Sequence, residues 1–309
     1  YKQESYIRTV LQLPFSKIGL NNHSSEEIMG ILNQKQYGMN EAKNRIRDYL
    51  MLLENGISNT DLPVLCLNGA PGTGKTSLAY AISKALDRPL VKVSLGGIDD
   101  VMSILGCSFA YSNSTPGMII QAMMNSPVQN PVFLLDEVDK LKRGHGDPAA
   151  ALLSVLDPTQ NTDFVDSYVE LPYDLSNVLF ICTSNNKENI SAPLRSRMEI
   201  IDIAPYSKAE KIGIIKSCSI PKLIKKYKMH NIKIDVSDIN LEYIIRNYTS
   251  ESGVRQLERC VETIFRKIAI QYNRTKNSSV SITKEMILEW LGEEKYGLKA
   301  KIYAKLEYF

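Results

Sequence analysis

The chain has 309 residues, 44% of them hydrophobic, which suits a soluble globular protein long enough for two domains. Its 37 basic and 34 acidic side chains give a formal net charge of +3. This charge is too balanced to indicate a polyanionic partner by itself. Five scattered cysteines without CxxC spacing argue against a zinc site or a disulfide framework and favour a reducing compartment. The three histidines lie far apart, so we expect no transition metal held by the protein.

No apolar run approaches the roughly 18 residues that span a bilayer, and no signal peptide opens the chain. We therefore expect no membrane partner and a cytoplasmic location, or the mitochondrial matrix if a targeting segment has been removed. The first residue is Tyr1 rather than Met, which predicts that the sequence comes from inside a longer natural chain.

Helical patterns come first along the chain. Ser24 and Glu27 have the spacing of a capping box, and apolar residues follow them at helical spacing. A second helix is predicted from Asn40 to Leu53. Its apolar side contains Ala42, Ile46, Tyr49, Leu50 and Leu53, and its charged side contains Lys43, Arg45, Arg47 and Asp48.

Short apolar runs then alternate with helical stretches. They cover residues 63–67, 90–94, 131–135 and 178–182 and are rich in branched or aromatic side chains. Runs of this kind, separated by long helical crossovers, predict a parallel sheet covered by helices on both faces. The expected fold class is an α/β nucleotide-binding domain.

A glycine-rich segment, Gly69-Ala-Pro-Gly-Thr-Gly-Lys-Thr76, stands between the first run and the next helix and fits GxxxxGK[ST]. Residues 69–76 are called the phosphate loop below. Glycines let backbone N–H groups close around the β-phosphate, and the helix N-terminus adds partial positive charge. Lys75 is predicted to reach the β- and γ-phosphates of ATP, and Thr76 to place its hydroxyl on Mg²⁺. A glycine-rich turn alone would be an ordinary turn, but its place between strand and helix favours phosphate binding.

Two adjacent acids follow the third apolar run. Asp136 is predicted to hold Mg²⁺ through water, and Glu137 to orient and deprotonate the attacking water. The alternative is an acidic turn that only caps a buried strand. The phosphate loop, about sixty residues earlier, argues against that alternative.

After residue 206 the pattern is mostly helical. Ser207 and Glu210 form a second capping box, and helices are predicted at 208–229, 238–249, 253–273 and 283–291. Short extended pieces at 232–234 and 280–282 are expected to pair with each other. The sheet domain is thus followed by a small, mostly helical domain.

The motifs together resemble the AAA+ module of Lon proteases, in the right order, from about residue 6 to residue 292. The matching segments are residues 37–43, 69–79, 93–97, 131–140, 146–158, 192–199 and 252–259. The resemblance implies an AAA+ P-loop NTPase fold with three domains or segments. These are an N-terminal helical segment at 1–36, a nucleotide-binding domain at 37–205, and a lid with a C-terminal tail at 206–309.

Further site residues come from this resemblance. It implies that Asn185 is sensor 1 near the γ-phosphate, that Arg197 is an arginine finger for a neighbour's nucleotide, and that Arg255 is sensor 2. Asn185 could instead cap a turn, and both arginines could form surface ion pairs. The implied nucleotide-binding set is Tyr37, Gly38, Gly69, Ala70, Pro71, Gly72, Thr73, Gly74, Lys75, Thr76, Ser77 and Arg255.

The family's pore loop, which grips polypeptide, has an aromatic–aliphatic pair before a Pro-Gly turn. Here Tyr111 and Ser112 precede Pro116 and Gly117, so the aromatic residue is present and the aliphatic one is not. The preceding segment, residues 99–110, lacks the arginines usual in the family. Tyr111 could also be an ordinary loop aromatic.

The resemblance implies an ATPase that unfolds and translocates damaged or unfolded proteins, as part of an ATP-dependent serine protease. The family forms homo-hexamers, although this fragment could be a monomer. Lon proteases continue into a domain with a Ser-Lys dyad, which we expect beyond Phe309 of a longer natural chain. The alternatives are a Lon-like chaperone or remodelling ATPase without peptidase activity, and an AAA+ nucleic-acid motor that would use the basic stretch 221–228.

Overall fold

The computed structural model describes residues 2–15, 17–19, 24–112, 114–142, 144–275 and 279–296. Contacts between Cα atoms divide the chain into two compact units. The first contains residues 1–70 and 74–204, and the second contains residues 71–73 and 205–309. The predicted domain boundaries after residues 36 and 205 stay predictions.

The first unit alternates strands and helices. Its helices are α1 (Lys2–Gln12), α2 (Ser25–Lys35), α3 (Asn40–Glu54), α4 (Lys75–Ala85), α5 (Val101–Leu105), α6 (Met118–Met124), α7 (Pro148–Leu156) and α8 (Ala192–Arg195). Its strands are β1 (Val64–Asn68), β2 (Leu90–Ser94), β3 (Val132–Asp136), β4 (Phe164–Val165), β5 (Pro172–Tyr173), β6 (Leu179–Ser184) and β7 (Met198–Asp202). Short 3-10 turns lie at Asn59–Asp61, Val138–Lys140, Asn161–Asp163 and Lys187–Asn189.

In the described part of the chain, five parallel strands form one sheet in the order β2-β3-β6-β1-β7. β4 and β5 pair separately as a small antiparallel ladder. Every residue of β6 is buried, as expected for a central parallel strand with both faces covered. The predicted α/β fold is confirmed. Because the strands are parallel, the segments that follow β1, β3 and β6 all begin at the same edge of the sheet.

Strand β7 was not predicted from the sequence. Among the described strands it pairs only with β1, so it is an edge strand. Its sequence, Met198-Glu-Ile-Ile-Asp202, carries acids at two of five positions. One of them, Glu199, pairs with Arg45 of α3 at 2.8 Å. An edge strand tolerates such polar residues, and they interrupt the apolar run by which central strands are recognised.

Apolar side chains pack on both faces of the sheet. On one face, Phe133 and Phe180 lie with ring centroids 5.4 Å apart within a buried cluster. On the other face, Leu134 packs in a cluster with Ile82 of α4 and Ile46 of α3. Helix α4, which starts at the end of the phosphate loop, is therefore fixed against the sheet.

Helices α2 and α3 follow the predicted pattern except at Lys43. The Ser24–Glu27 capping box is confirmed. Lys43 was expected on the charged side of α3, but it is buried, and its Nζ donates to Asn33 Oδ1 at 3.0 Å and to the Gln36 carbonyl at 2.6 Å. Burial lowers the pKa of Lys43. These oxygens replace water around the ammonium, which is why a lysine is tolerated between two packed helices.

Gly30, in the middle of α2, gives a simple test of helix stability. It is exposed, and an added Cβ would meet nothing within 4 Å. Gly30→Ala should raise the free energy of unfolding by about 0.5–1 kcal/mol in urea denaturation, because alanine loses less backbone entropy on folding. Gly56→Ala is the control, since it has equally open surroundings but a φ of +85°. It should destabilise the protein, and equal effects at both sites would contradict the prediction.

The second unit is mostly helical. Its helices are α9 (Lys208–Ile214), α10 (Ile220–Lys226), α11 (Asp238–Tyr248), α12 (Arg255–Thr275) and α13 (Lys284–Leu291), with a π-helical turn at Ile215–Ser219. Strands β8 (Lys233–Asp235) and β9 (Ser279–Ser281) form a parallel pair, which confirms the predicted pairing. The Ser207–Glu210 capping box is confirmed as well. A buried cluster that includes Ile244, Leu257 and Phe265 holds the helices together.

The helix predicted over 208–229 runs without a break from Lys208 to Lys226 and contains a π-helical turn at Ile215–Ser219. This turn joins α9 to α10, and Pro221 lies in the first turn of α10. Proline has no N–H for the bond one turn back, and its ring crowds that carbonyl, so the helical ladder widens just before it. Residues 227–229 lie outside α10.

Within the described ranges, the helices lack the combination of length and apolar character that crossing a membrane needs. The same ranges contain no group of three or more His, Cys, Asp or Glu side chains placed to hold a metal ion. The five cysteines are free thiols.

Candidate functional site

The phosphate loop connects β1 to α4. Gly72 and Gly74 have φ of +80° and +87°, a backbone region that glycine enters without strain. Gly74 precedes α4 and has no side chain that could cap this helix. Thr76, half-buried, and Ser77, exposed, lie in the first turn. A helix N-terminus that directly follows a glycine-rich turn favours a phosphate ligand.

Lys75 is buried, with 8% of its surface exposed. Its Nζ donates to the carbonyl oxygens of Gly69 at 2.6 Å and Ala70 at 3.0 Å, and to Asn185 Oδ1 at 3.0 Å. The ammonium is therefore fixed above the loop, next to the segment that follows β6. Two residues predicted separately, Lys75 and Asn185, are in direct contact.

Asp136 ends β3. Its carboxylate pairs with Lys92 Nζ at 2.6 Å and accepts a short hydrogen bond from the Thr183 hydroxyl. Burial by itself would raise the pKa of Asp136. The hydrogen bonds from Lys92 and Thr183, with the charges of Lys92 and Lys75, outweigh burial and lower that pKa below its usual value. The carboxylate is ionised at neutral pH, as a ligand of a hard cation must be.

Glu137 has a left-handed backbone, with φ 62° and ψ 46°. For a residue other than glycine this conformation costs on the order of 1 kcal/mol or more, and such strain concentrates at functional sites. The Glu137 N–H donates to Thr183 Oγ1 at 3.0 Å. Its Oε1 accepts from Lys140 Nζ at 2.5 Å, and a Cβ added to Gly96 would lie only 2.4 Å from Oε2. Because Gly96 has no side chain, the Glu137 carboxylate can occupy this position.

Asn185 follows β6 in a segment held by Asp139. Asp139 Oδ2 accepts the N–H groups of Asn185 and Asn186, each at 3.1 Å. Asp139 is 9% exposed, and its Oδ1 is buried with no hydrogen-bond partner among the described residues. The Asn185 side chain is thereby held beside Lys75 through its own backbone.

Arg197 lies between α8 and β7 in the first unit. Its Nη2 pairs with Asp157 Oδ2 at 2.8 Å. The Arg197 side chain is 46% exposed and the Asp157 side chain 6%. Hydrogen bonds from Thr159 and the charge of Arg197 lower the pKa of Asp157. Arg197 is thus accessible but anchored at one side within its own chain.

The other predicted site residues lie in three places. Tyr37 is 40% exposed, and Gly38, with φ 64°, follows it between α2 and α3. Tyr111 is 63% exposed, and Ser112 is exposed next to it. Arg255 is the first residue of α12 in the second unit, where its Cγ lies 3.2 Å from a Cβ added to Gly72. The first unit therefore brings together Lys75, Asp136, Glu137 and Asn185, whereas Arg197, Tyr111 and Tyr37 lie on other segments of it.

Comparison with known proteins gives two family matches. Residues 65–206 match the model of the ATPase family associated with various cellular activities (AAA), and residues 225–287 match the Lon protease AAA+ ATPase lid domain. Lon protease 1 of Myxococcus xanthus is 42% identical over 293 residues, which is 94% of this chain and 36% of the relative. Lon protease of Malacoplasma penetrans is 42% identical over 301 residues, 97% of this chain and 38% of the relative.

Lon protease of Clostridioides difficile is similar at 41% identity over 294 residues, 94% of this chain. The chain belongs to the Lon family. It is a nucleotide-binding AAA+ ATPase module of that family, which confirms the resemblance drawn from its motifs. The chain spans between 36% and 38% of the length of these three relatives.

Sequence reasoning missed three residues that organise the candidate site of this Lon AAA+ module. Lys92 pairs with Asp136, Thr183 bridges Asp136 and Glu137, and Asp139 holds the backbone of Asn185. The sequence contained a weak signal for each. A lysine inside a predicted buried strand, a threonine near the end of another, and a third acid just after Asp136 and Glu137 are polar residues where apolar ones are expected.

Thr183→Val in the Lon AAA+ module keeps the side-chain shape and removes the bridging hydroxyl. Thr183 is 1% exposed, so the Glu137 N–H would lose its partner in a buried place. We expect the free energy of unfolding to fall by about 1–3 kcal/mol in urea denaturation, together with a lower kcat for ATP. Thr162→Val, at an exposed position, is the control and should stay within about 0.5 kcal/mol of the unchanged protein. Equal losses in both variants would argue against the bridge.

Proposed function

We propose that this chain couples ATP hydrolysis to the unfolding and translocation of polypeptide within a Lon-type ATP-dependent protease. The cutting step belongs to a separate Ser-Lys peptidase domain. The observation that carries the proposal is the meeting of Lys75, Asp136, Glu137 and Asn185 at the carboxyl edge of one sheet, in a chain 42% identical to Lon proteases over most of its length.

Each of these residues has a role that suits phosphoryl transfer. The phosphate loop receives the triphosphate, and Lys75 exchanges its present carbonyl partners for oxygens of the β- and γ-phosphates. Glu137 takes the proton of the attacking water, and Asn185 orients that water beside the γ-phosphate. The enzyme acts by fixed charge and position rather than by covalent chemistry with the substrate.

The oxygen ligands at this edge suit Mg²⁺. Asp136, ionised because its pKa is lowered, and Thr76, in the first turn of α4, would hold the ion. When bound, Mg²⁺ neutralises phosphate charge. Lys92, which pairs with Asp136, keeps that carboxylate ionised and oriented without the ion.

The remaining site residues have separate roles. Tyr37 and Gly38 line the pocket of the adenine, Arg255 contributes from the lid as sensor 2, and Arg197 reaches the nucleotide of a neighbour. An arginine that acts in trans requires a ring, which we propose to be a homo-hexamer in the full-length protein. The 46% exposure of the Arg197 side chain supports this role.

Tyr111 and Ser112 contact the polypeptide substrate. The exposure of Tyr111, 63%, supports a role in contact with a partner. The substrates are unfolded or damaged proteins, and the compartment is the cytoplasm or an equivalent reducing space.

Stimulation of ATP hydrolysis tests this function. The rate should rise when unfolded, fluorescein-labelled casein is added to the full-length protein, and Tyr111→Ala should reduce that rise. Single-stranded DNA is the comparison ligand. Stimulation by DNA that falls steeply with salt, with none by casein, would favour a nucleic-acid motor instead. Casein stimulation without casein cleavage would favour a chaperone.

A further inference from the structure

The loop that carries Tyr111 is closed tightly at its base. Residues 107–116 are called the substrate loop. Gly106 and Gly117 flank it, and a Cβ added to Gly117 would lie 2.1 Å from the Ile104 carbonyl oxygen and 2.6 Å from the Gly106 nitrogen. The Cys107 N–H donates to the Thr115 carbonyl at 2.9 Å. The two ends of the loop therefore approach more closely than any side chain would allow.

A buried carboxylate lies under this closure. Asp166 has no exposed surface. Its Oδ2 accepts the Gly117 N–H at 2.7 Å, and its Oδ1 accepts the N–H groups of Tyr168 at 2.8 Å and Val169 at 3.1 Å. Both oxygens lie within 2.9 Å of the place where a Cβ on Gly106 would be. One side chain thus connects the base of the substrate loop to residues 168–169.

The chemistry of Asp166 explains why a carboxylate stands there. Three backbone donors face two oxygens, and an asparagine could offer only one oxygen to them. Burial raises the pKa of Asp166, and the three hydrogen bonds offset that rise only in part. The Asp166 carboxylate is desolvated, and the hydrogen bonds described for it come from backbone N–H groups. Its role is therefore to hold these backbone segments in place.

An aromatic cluster supports the same loop from α1. Phe109, in the substrate loop, lies 5.3 Å from the ring of Tyr6 and 5.8 Å from the ring of Tyr168, measured between centroids. Tyr6 and Tyr168 are 5.9 Å apart. The Tyr6 hydroxyl donates to the Val169 carbonyl at 2.7 Å. Helix α1 and residues 166–169 therefore hold Phe109 two positions before Tyr111.

We propose that Asp166 and the cluster of Tyr6, Phe109 and Tyr168 position the substrate loop, so that the grip of Tyr111 on polypeptide depends on α1 and on a buried carboxylate that never touches the substrate. This rests on the proposed role of Tyr111. Asp166 and Tyr6 are positioning residues, because they act through the loop. Two independent contacts, one polar and one aromatic, converge on the same short segment.

Two variants of the full-length protein test the proposal. Asp166→Asn replaces one carboxylate oxygen by an NH₂ group, which then faces either the Gly117 N–H or the N–H groups of Tyr168 and Val169. Tyr6→Phe removes only the hydroxyl. The casein concentration that gives half-maximal ATPase stimulation should rise about tenfold in the first variant and about threefold in the second. The basal kcat and the KM for ATP should stay unchanged.

Matched substitutions serve as controls. Asp163→Asn changes an exposed aspartate three residues from Asp166. Tyr248→Phe removes a hydroxyl that donates to the Gly292 carbonyl at 2.8 Å in the second unit. Neither control should change the casein dependence. Equal rises in the controls, or losses of basal ATPase that match the loss of stimulation, would overturn the proposal.

Hydrogen–deuterium exchange separates this inference from the function on which it rests. Amides of residues 107–117 should exchange faster in both test variants, by about tenfold in Asp166→Asn, while those of the phosphate loop are unchanged. Unchanged exchange at 107–117 would overturn the anchoring, and Tyr6→Phe keeps this readout if Asp166→Asn does not fold. If Tyr111→Ala leaves casein stimulation intact, the assignment of substrate contact fails, whereas faster exchange would still establish the anchor.

Discussion

Glu137→Gln should bind ATP as tightly as the unchanged protein and hydrolyse it about 10²- to 10⁴-fold more slowly. The amide has the size of the carboxylate but cannot accept the proton of the attacking water. The left-handed backbone at φ 62° and the bond from the Glu137 N–H to Thr183 do not involve the altered atoms. ATP affinity by equilibrium titration and turnover by phosphate release measure the two effects separately.

Glu188→Gln is the matched control for this experiment. Glu188 is exposed and pairs with Arg195 at 2.9 Å on the surface. Exposed pairs of this kind contribute at most about 1 kcal/mol, so the control should keep normal turnover. Normal turnover in Glu137→Gln would remove Glu137 from the role of base. A loss of ATP affinity that accounts for the lower rate would do the same.

Much of the candidate site could be predicted because its residues follow strand ends directly in sequence. The phosphate loop follows β1, Glu137 follows β3, and Asn185 follows β6. In a parallel sheet these positions share one edge whatever the strand order. The contact of Lys75 with Asn185, 110 positions apart in sequence, is a consequence of that rule.

Residues that act across strands could not be predicted in the same way. Thr183 reaches Asp136 because β6 lies beside β3, and Lys92 reaches it because β2 lies on the other side. Four apolar runs do not specify which strands are neighbours. Asp157 was likewise missed as the partner of Arg197, because a loop after α7 meets the segment before β7 only in the folded chain.

The burial of individual polar side chains could not be predicted from the sequence either. Lys43 and Asp166 both look like surface residues in the sequence, yet the first is 2% exposed and the second fully buried. Each has backbone partners, a carbonyl beside the Asn33 side chain for the lysine and N–H groups for the aspartate. Side-chain patterns do not reveal where backbone donors and acceptors are left without partners, so such residues become visible only in three dimensions.

Arg197→Ala should lower kcat by about 10³- to 10⁵-fold in the assembled protein and leave the activity of a monomeric fragment unchanged. The arginine would act on a neighbour's nucleotide, so its loss matters only where a neighbour exists. ATPase rates measured at protein concentrations above and below assembly, with mass determined by light scattering, distinguish the two states. A monomer that loses activity equally would contradict action in trans.

The ion pair with Asp157 offers an alternative role for Arg197, stabilisation of its own chain, and Asp157 also provides a control variant. If Arg197 only stabilises the fold through this ion pair, Asp157→Asn should reproduce the effect of Arg197→Ala, because either change removes the pairing of charges at 2.8 Å. If Arg197 acts on a neighbour, Asp157→Asn keeps the guanidinium and most of the rate, whereas Arg197→Ala loses the rate without a matching loss of stability.

Mixing two variants also distinguishes action on a neighbour from a structural role of Arg197. Arg197→Ala subunits have an intact phosphate loop, and Lys75→Ala subunits have an intact Arg197, so mixed rings should regain ATPase activity that neither variant has alone. No recovery at any mixing ratio, in rings shown to contain both subunits, would return Arg197 to the role of a surface ion pair.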